Sequence, residues 1–81
     1  MTYKVVLLPS ASQALADLQP AQRRAVHEAI RGPLARRPLD VGTSSGPSLR
    51  TLVLKDAGVS LKYRVYPDHV EVQIVWIFSG P

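Results

Sequence analysis

Three strand-like runs, separated only by short turn signals, fill the last third of this chain. They cover Leu49–Leu54, Val59–Tyr66 and residues 69–78, and the segments between them read KDAG and PD. Connections this short join antiparallel neighbours, because a parallel pair needs a crossover of about a dozen residues or more. The sequence therefore predicts an antiparallel meander at this end of the fold.

The middle run separates two kinds of side chain by strict alternation. Its mainly apolar set is Val59, Leu61, Tyr63 and Val65, and the set between them is Ser60, Lys62, Arg64 and Tyr66. Alternate side chains leave opposite faces of a strand. One face of the sheet is therefore predicted to cover a core, and the other to present two cations, a hydroxyl and a phenol to an anionic ligand.

The first residues predict a strand followed by a short helix. Residues 2–8 are mostly β-branched, aromatic or apolar, and Pro9 ends the run. Ser10 is predicted to be the N-cap of a helix over residues 11–18, with Gln13 three residues later completing a capping box.

A second helix is predicted to begin at Pro20, since proline is favoured in the first turn of a helix. Gly32 and Pro33 should end or kink it, because proline lacks a donor and clashes with the preceding turn. Leu34 keeps the helical spacing, so a kinked continuation to about Arg37 is expected. Residues 38–48, PLDVGTSSGPS, are rich in Gly, Ser and Pro and are predicted to form a loop.

Together these elements predict an α+β fold in a single domain of residues 1–81. The order is β-α-α-β-β-β, with a helical hairpin packed on one face of a four-stranded, mainly antiparallel sheet. The final run is apolar in both phases near its end, and Trp76 and Phe78 are predicted to belong to the core. The alternative interpretation is a stacking platform. If the two rings lie on the face of the sheet away from the helices, apolar side chains of a partner would be their natural cover, since exposed apolar patches mark interaction sites.

The charge balance favours an anionic partner. Ten Lys and Arg against six Asp and Glu give a formal charge of +4, which suits nucleic acid or an acidic protein; a generically basic small protein is the alternative. Cysteine is absent, which excludes disulfides and thiolate zinc sites. With two distant histidines, no metal and no cofactor are predicted. No apolar run approaches the roughly 20 residues that cross a bilayer, so we expect a cytoplasmic protein without a membrane partner.

The sequence resembles the RelE/ParE superfamily, the toxins of bacterial type II toxin–antitoxin systems. The segments that carry the resemblance are YKVVLLPSASQALADL, RRAVHEAIRGPLARRP, SLRTLVL and GVSLKYRVYPDHVEVQIVWI. They cover nearly the whole chain in the family's order, and YRVYPDHVEV is most similar to the family's closing hairpin. The resemblance implies a RelE-like fold and a cognate antitoxin whose peptide wraps the toxin. It also implies a target, because RelE-like members cleave mRNA on the ribosome and ParE-like members inhibit DNA gyrase.

The chain departs from the nuclease pattern that this resemblance implies. The family's nucleases usually have basic residues at the positions matching Thr51, Val53 and Ser60. They usually have another just past the last strand, followed by a tyrosine-bearing tail, where this sequence reads SGP. RNA cleavage by 2′-oxygen attack needs a proton acceptor or donor and cations for the developing phosphorane. Ribosome-dependent endoribonuclease activity is therefore left open.

Several side chains are candidate RNA contacts. Lys62 and Arg64 are predicted to hold phosphate and to stabilise its transition-state charge, with the general base unassigned. The further predicted RNA-binding residues are Arg50, Lys55, Ser60, Tyr66, Arg36 and Arg37. His69 is the only histidine near the predicted sheet, and imidazole exchanges protons near neutral pH; an exposed turn residue is the alternative interpretation.

The leading hypothesis is a toxin that inhibits translation by ribosome-associated mRNA binding or cleavage. The first alternative is a non-catalytic, ParE-like toxin that binds DNA gyrase. The second is a disarmed relative that binds an antitoxin and has lost toxicity. Fold alone does not choose among them, because function resides in the site.

Overall fold

Within residues 2–79, which the computed structural model describes, the chain forms five strands and three helices. The strands are β1 (Lys4–Leu7), β2 (Thr43–Gly46), β3 (Leu49–Leu54), β4 (Val59–Tyr66) and β5 (Glu71–Ser79). The helices are α1 (Pro9–Ala16), α2 (Pro20–Arg31) and the single turn α3 (Pro33–Arg36). None of these helices is long and apolar enough to span a membrane.

The strands form one mixed sheet in the order β1-β5-β4-β3-β2. β1 pairs with β5 in parallel, and the other three pairings are antiparallel. The parallel pair is possible because the whole helical segment and the meander lie between its two strands in sequence. The α+β prediction with its β-α-α-β-β-β order is confirmed, with one additional strand.

The additional strand is β2, in the segment predicted to be a loop. Its Thr43 pairs with Thr51, and the hydroxyl of Thr51 donates to Ser45 Oγ at 3.0 Å. All four β2 residues are exposed, so they show no alternation of apolar and polar side chains. The usual sequence signal for a half-buried strand is therefore missing here.

Proline sets the start of each helix. Pro9, Pro20 and Pro33 are the first residues of α1, α2 and α3, where the missing N–H costs no hydrogen bond. The predicted N-cap at Ser10 is wrong, because the helix already begins at Pro9. The Ser10 hydroxyl donates instead to the carbonyl of Val75 at 3.0 Å.

The core lies between the helices and one face of the sheet. From β4 it includes Val59, Leu61 and Tyr63, which are at most 1% exposed. The helices contribute Ala11, Leu15, Val26, Ala29 and Leu34, and the turn between α1 and α2 contributes Leu18. The β4 alternation predicted this face correctly. Burying a side chain of the size of Leu61 stabilises the fold by about 1.5–3 kcal/mol.

A bulge in β5 changes which of its side chains face the core. Lys62 pairs with Trp76, but the next residue Tyr63 pairs with Ile74, so Val75 is an extra residue on β5. Since side chains alternate with a period of two, one extra residue moves all later side chains to the other face. Ile77 is therefore buried, while Trp76 is 42% and Phe78 43% exposed. The prediction that Trp76 and Phe78 belong to the core is wrong for this reason.

Candidate functional site

The face of the sheet opposite the helices carries the polar set of β4. Ser60, Lys62 and Tyr66 are half-buried and Arg64 is exposed, and these four alternate with the core residues of the same strand. Residues two apart along a strand lie about 6.6 Å apart. The strand therefore holds two cations, one hydroxyl and one phenol in a row on this side, which we call the open face.

Neighbouring strands frame the two cations with uncharged side chains. Lys62 lies between Thr51 of β3 and Trp76 of β5 in the register of the sheet. Arg64 lies opposite Gln73. Thr51, Val53 and Ser60 occupy the positions where the family resemblance implies further basic residues. All three lie on the open face, because Thr51 pairs with Lys62 and Val53 pairs with Ser60. Of the SGP segment, Ser79 is the last residue of β5, and Gly80 and Pro81 lie outside the described residues.

Two aromatic rings lie beside Lys62 on this face. The ring centroids of Trp76 and Phe78 are 5.9 Å apart with an interplanar angle of 60°, an edge-to-face contact. The ammonium of Lys62 is 5.6 Å from the centroid of Phe78, within the distance at which a cation is attracted by an aromatic face. The sequence favoured the core for both rings, because their position on this face depends on the β5 bulge.

His69 lies at one end of the row. It belongs to a 3-10 turn, Pro67–His69, and its imidazole stacks on the ring of Tyr66 at 5.2 Å and 22°. Its Nδ1 is 3.2 Å from a carboxylate oxygen of Asp68. This contact orients the ring, so Nε2 is the nitrogen left for a ligand or a proton. Among residues 2–79, no three His, Asp or Glu side chains are grouped as metal ligands would be.

Arg50 lies on the other face of the sheet. It pairs with the buried Tyr63, and its guanidinium donates to the carbonyl of Val41 at 3.0 and 3.3 Å and to that of Gly42 at 3.2 Å. The Tyr63 hydroxyl contacts the carbonyls of Pro38 and Val41 at 2.8 and 2.9 Å. Arg50 therefore holds the segment before β2, which is a structural role distinct from the RNA contact predicted for it.

The remaining predicted RNA contacts are dispersed. Arg36 and Arg37 are exposed at the end of α3, in the helical layer that covers the opposite side of the sheet. Lys55 is exposed in the turn between β3 and β4. The structure thus brings Ser60, Lys62, Arg64 and Tyr66 together, but not these three cations.

A groove of about 660 Å³ separates α2 from the end of β3. Its walls are largely small or apolar: Ala21, Ala25, Ala29, Pro33, Val53, Leu54 and Ala57 contribute, with Gln22, Glu28, Lys55 and Asp56 among them. β2 pairs with β3 only as far as Thr51. In the described part of the chain, the outer edge of β3 beyond Thr51 therefore has backbone groups available to another strand.

Among known proteins, only solved structures give matches to this chain. No family model and no curated protein matches the sequence. Over 99% of this chain and 100% of the other, the fold matches a chain of the toxin–antitoxin complex RelBE2 from Mycobacterium tuberculosis, with a TM-score of 0.90 and 26% identity. The isolated RelE toxin of E. coli matches over 98% and 85% of the two chains, with a TM-score of 0.79 and 18% identity. A chain of the ParDE system of P. aeruginosa matches over 98% and 97%, with a TM-score of 0.73 and 22% identity.

Proposed function

We propose that this chain, which has the fold of the RelE/ParE toxin superfamily, is the toxin component of a type II toxin–antitoxin system. It would act in the bacterial cytoplasm by inhibiting translation, through ribosome-associated binding or cleavage of mRNA. The observation that carries this proposal is the row of Ser60, Lys62, Arg64 and Tyr66 on the open face. The likeness to chains of RelBE2 and RelE supports the same class of protein.

In this proposal Lys62 and Arg64 contact RNA phosphates. Both project from one rigid strand in the middle of the sheet, which limits the entropy lost when they bind. The guanidinium of Arg64 can donate two parallel hydrogen bonds to one phosphate, whereas the ammonium of Lys62 acts as a point charge. Cleavage would further require these cations to stabilise the phosphorane charge.

Proton transfer is the step for which the open face offers fewest groups. Position 60 holds a serine, so the basic residue that the family resemblance implies there is replaced by a hydroxyl. The imidazole of His69, stacked on Tyr66 at the end of the row, is the candidate proton acceptor of this site. If His69 does not serve, the same face would bind mRNA without cutting it.

The antitoxin is the proposed protein partner, and the groove between α2 and β3 is its proposed binding site. A chain of a toxin–antitoxin complex shares this fold, and the groove has mainly apolar walls beside the free edge of β3. An added strand would satisfy the edge backbone while its alternate side chains fill the groove.

Neutral side chains on the open face favour a second candidate function. Thr51, Val53 and Ser60 give this face fewer cations than the nuclease pattern of the family. A toxin that binds a protein such as DNA gyrase does not need those charges, and a ParDE chain shares the fold. A disarmed relative that only binds an antitoxin is the third outcome that an experiment must separate.

Induced expression followed by primer-extension mapping of cellular mRNA tests the proposal. We expect growth arrest with discrete cuts inside translated reading frames if the chain cleaves mRNA, or ribosomes stalled on intact mRNA if it only binds. Arrest with intact mRNA and unstalled ribosomes would favour gyrase or another protein target. No arrest would favour a disarmed relative.

The site assignment is tested by the double variant Lys62→Ala with Arg64→Ala. We expect it to abolish the arrest, because both phosphate contacts are lost. The matched control is Arg24→Ala with Arg31→Ala, which removes the same charge from exposed positions of α2. Full toxicity of the Lys62 and Arg64 variant, or equal loss in both double variants, would contradict the assignment.

A further inference from the structure

We propose that Trp76 and Phe78 form a stacking platform for unpaired bases, so that the open face binds single-stranded RNA rather than a duplex. This inference rests on the proposed function and specifies the ligand of the same site. It assigns the two aromatic rings to the bases and the neighbouring cations to the phosphates.

Exposure of these two rings is unfavourable for the isolated fold. Burying a side chain of the size of Phe stabilises a protein by about 1.5–3 kcal/mol, yet Trp76 and Phe78 remain more than two-fifths exposed. Three of the five aromatic residues in the chain, these two and Tyr66, lie on the open face. Exposed aromatic clusters on a sheet are a common means of binding successive bases.

The charges around the rings suit a phosphate backbone. Lys62 lies over the Phe78 ring at 5.6 Å, and Arg64 follows it on β4. The side chains paired with Lys62 are Thr51 and Trp76, and neither is acidic. Glu71, the acidic residue of β5, lies toward the far end and accepts a hydrogen bond from Gln73 at 2.9 Å.

This mixture of rings and cations favours RNA over an apolar peptide as the occupant. A helix covering Trp76 and Phe78 with apolar side chains would also remove water from the Lys62 ammonium, which costs free energy unless an anion pairs with it. A nucleotide supplies both partners, since its base stacks on a ring and its phosphate pairs with the ammonium.

Stacking requires bases that are not already inside a helix. In a duplex, the bases stack on one another and a flat protein face meets only the backbone. The platform should therefore distinguish single strands from duplexes of the same length, with little dependence on base sequence.

The single tryptophan of the chain makes the platform directly observable. Trp76 is the only source of indole fluorescence, so a base stacked on it should quench the emission. The probe is an adenosine homopolymer of about 12 nucleotides, within the usual site sizes of single-strand binders. We expect saturable quenching with this RNA, weaker quenching with a duplex of the same length, and none with inorganic polyphosphate, which carries charge without bases.

Variants separate aromatic stacking from apolar contact. Binding of labelled RNA is followed by fluorescence anisotropy, which does not depend on Trp76. Phe78→Leu and Trp76→Leu keep an apolar side chain but lose the ring, and each is expected to weaken binding by about 5- to 150-fold. Trp76→Phe keeps a ring and should restore most of the affinity. Leu39→Ala removes an exposed apolar side chain from a loop outside the sheet and should leave the affinity unchanged.

The outcomes distinguish this inference from the function on which it rests. Wild-type affinity in both leucine variants would overturn the platform, while an arrest that depends on Lys62 and Arg64 would still support the RNA-binding toxin. Arrest by a gyrase-dependent route with intact quenching would reject the proposed function and leave the platform standing. A Trp76 response to the antitoxin but not to RNA would overturn the platform in favour of a protein-binding surface.

Discussion

Replacing Tyr63 with phenylalanine tests how the segment before β2 is held. The phenol is fully buried, and its oxygen lies 2.8 Å from the carbonyl of Pro38 and 2.9 Å from that of Val41. One hydroxyl has one proton, so these two distances represent one hydrogen bond that is shared or alternates. Tyr63→Phe removes this bond and keeps the ring in the core.

The loss in the free energy of unfolding depends on which carbonyl is left without a hydrogen-bond donor. Val41 still accepts from Arg50, but Pro38 has no other donor among residues 2–79. A buried carbonyl left without a partner costs about 1–3 kcal/mol. In a domain of this size, that loss lowers the unfolding midpoint by about 4–24 °C.

Urea denaturation followed by circular dichroism measures the change in the free energy of unfolding. Tyr66→Phe is the matched control, because the Tyr66 hydroxyl makes no hydrogen bond within residues 2–79, and it should change stability by less than about 0.5 kcal/mol. Arg50→Ala combined with Tyr63→Phe should be non-additive, since both side chains bind the carbonyl of Val41. A Tyr63→Phe cost no greater than that of the control, or strict additivity, would refute the reasoning.

Three further changes test other contacts. Gly42→Ala should destabilise by more than about 1 kcal/mol in urea titrations, because Gly42 has a φ of +71° and an added Cβ would lie 2.6 Å from the carbonyl of Thr51. Gly46→Ala should also destabilise, because a φ of +151° is strained for alanine, but its added Cβ would have no atom within 4 Å. The local structure around Thr51 should therefore change in the Gly42 variant only, and an equal change in both variants would contradict the predicted clash. Ser10→Ala should cost about 1 kcal/mol and speed amide exchange near the β5 bulge, and unchanged exchange would contradict a link between Ser10 and Val75. Ala25→Glu in the α2–β3 groove should leave growth arrest intact but prevent rescue by co-expressed antitoxin, whereas continued rescue would place the antitoxin elsewhere.

Local patterns in the sequence were sufficient for most of the fold. Strands β3 and β4 lie where the sequence predicted them, at Leu49–Leu54 and Val59–Tyr66. Proline marked the start of α2, and the break at Gly32 was confirmed by the separate turn of α3. These signals are local, because each depends on the dihedral preferences or the face alternation of a few adjacent residues.

The candidate site was only partly predictable. The grouping of Ser60, Lys62, Arg64 and Tyr66 follows from alternation within one strand and could be derived without a structure. Arg50 is a cation close in sequence to this group, but its position opposite Tyr63 turns it toward the helices. The register between strands decides on which face of the sheet a residue such as Arg50 lies. This register is not determined by the sequence of either strand alone.

The sequence by itself determined that the chain forms an α+β layer and that one face of β4 carries two cations. Only the tertiary structure decided which side chains of the neighbouring strand lie beside those cations. Leu61 is inward and Lys62 outward by simple alternation, but Trp76 is outward because Val75 is an extra residue relative to β4. A bulge arises from the pairing of two strands and the packing of both on a core. For that reason, its effect on the exposed rings appears only when the strands are assembled.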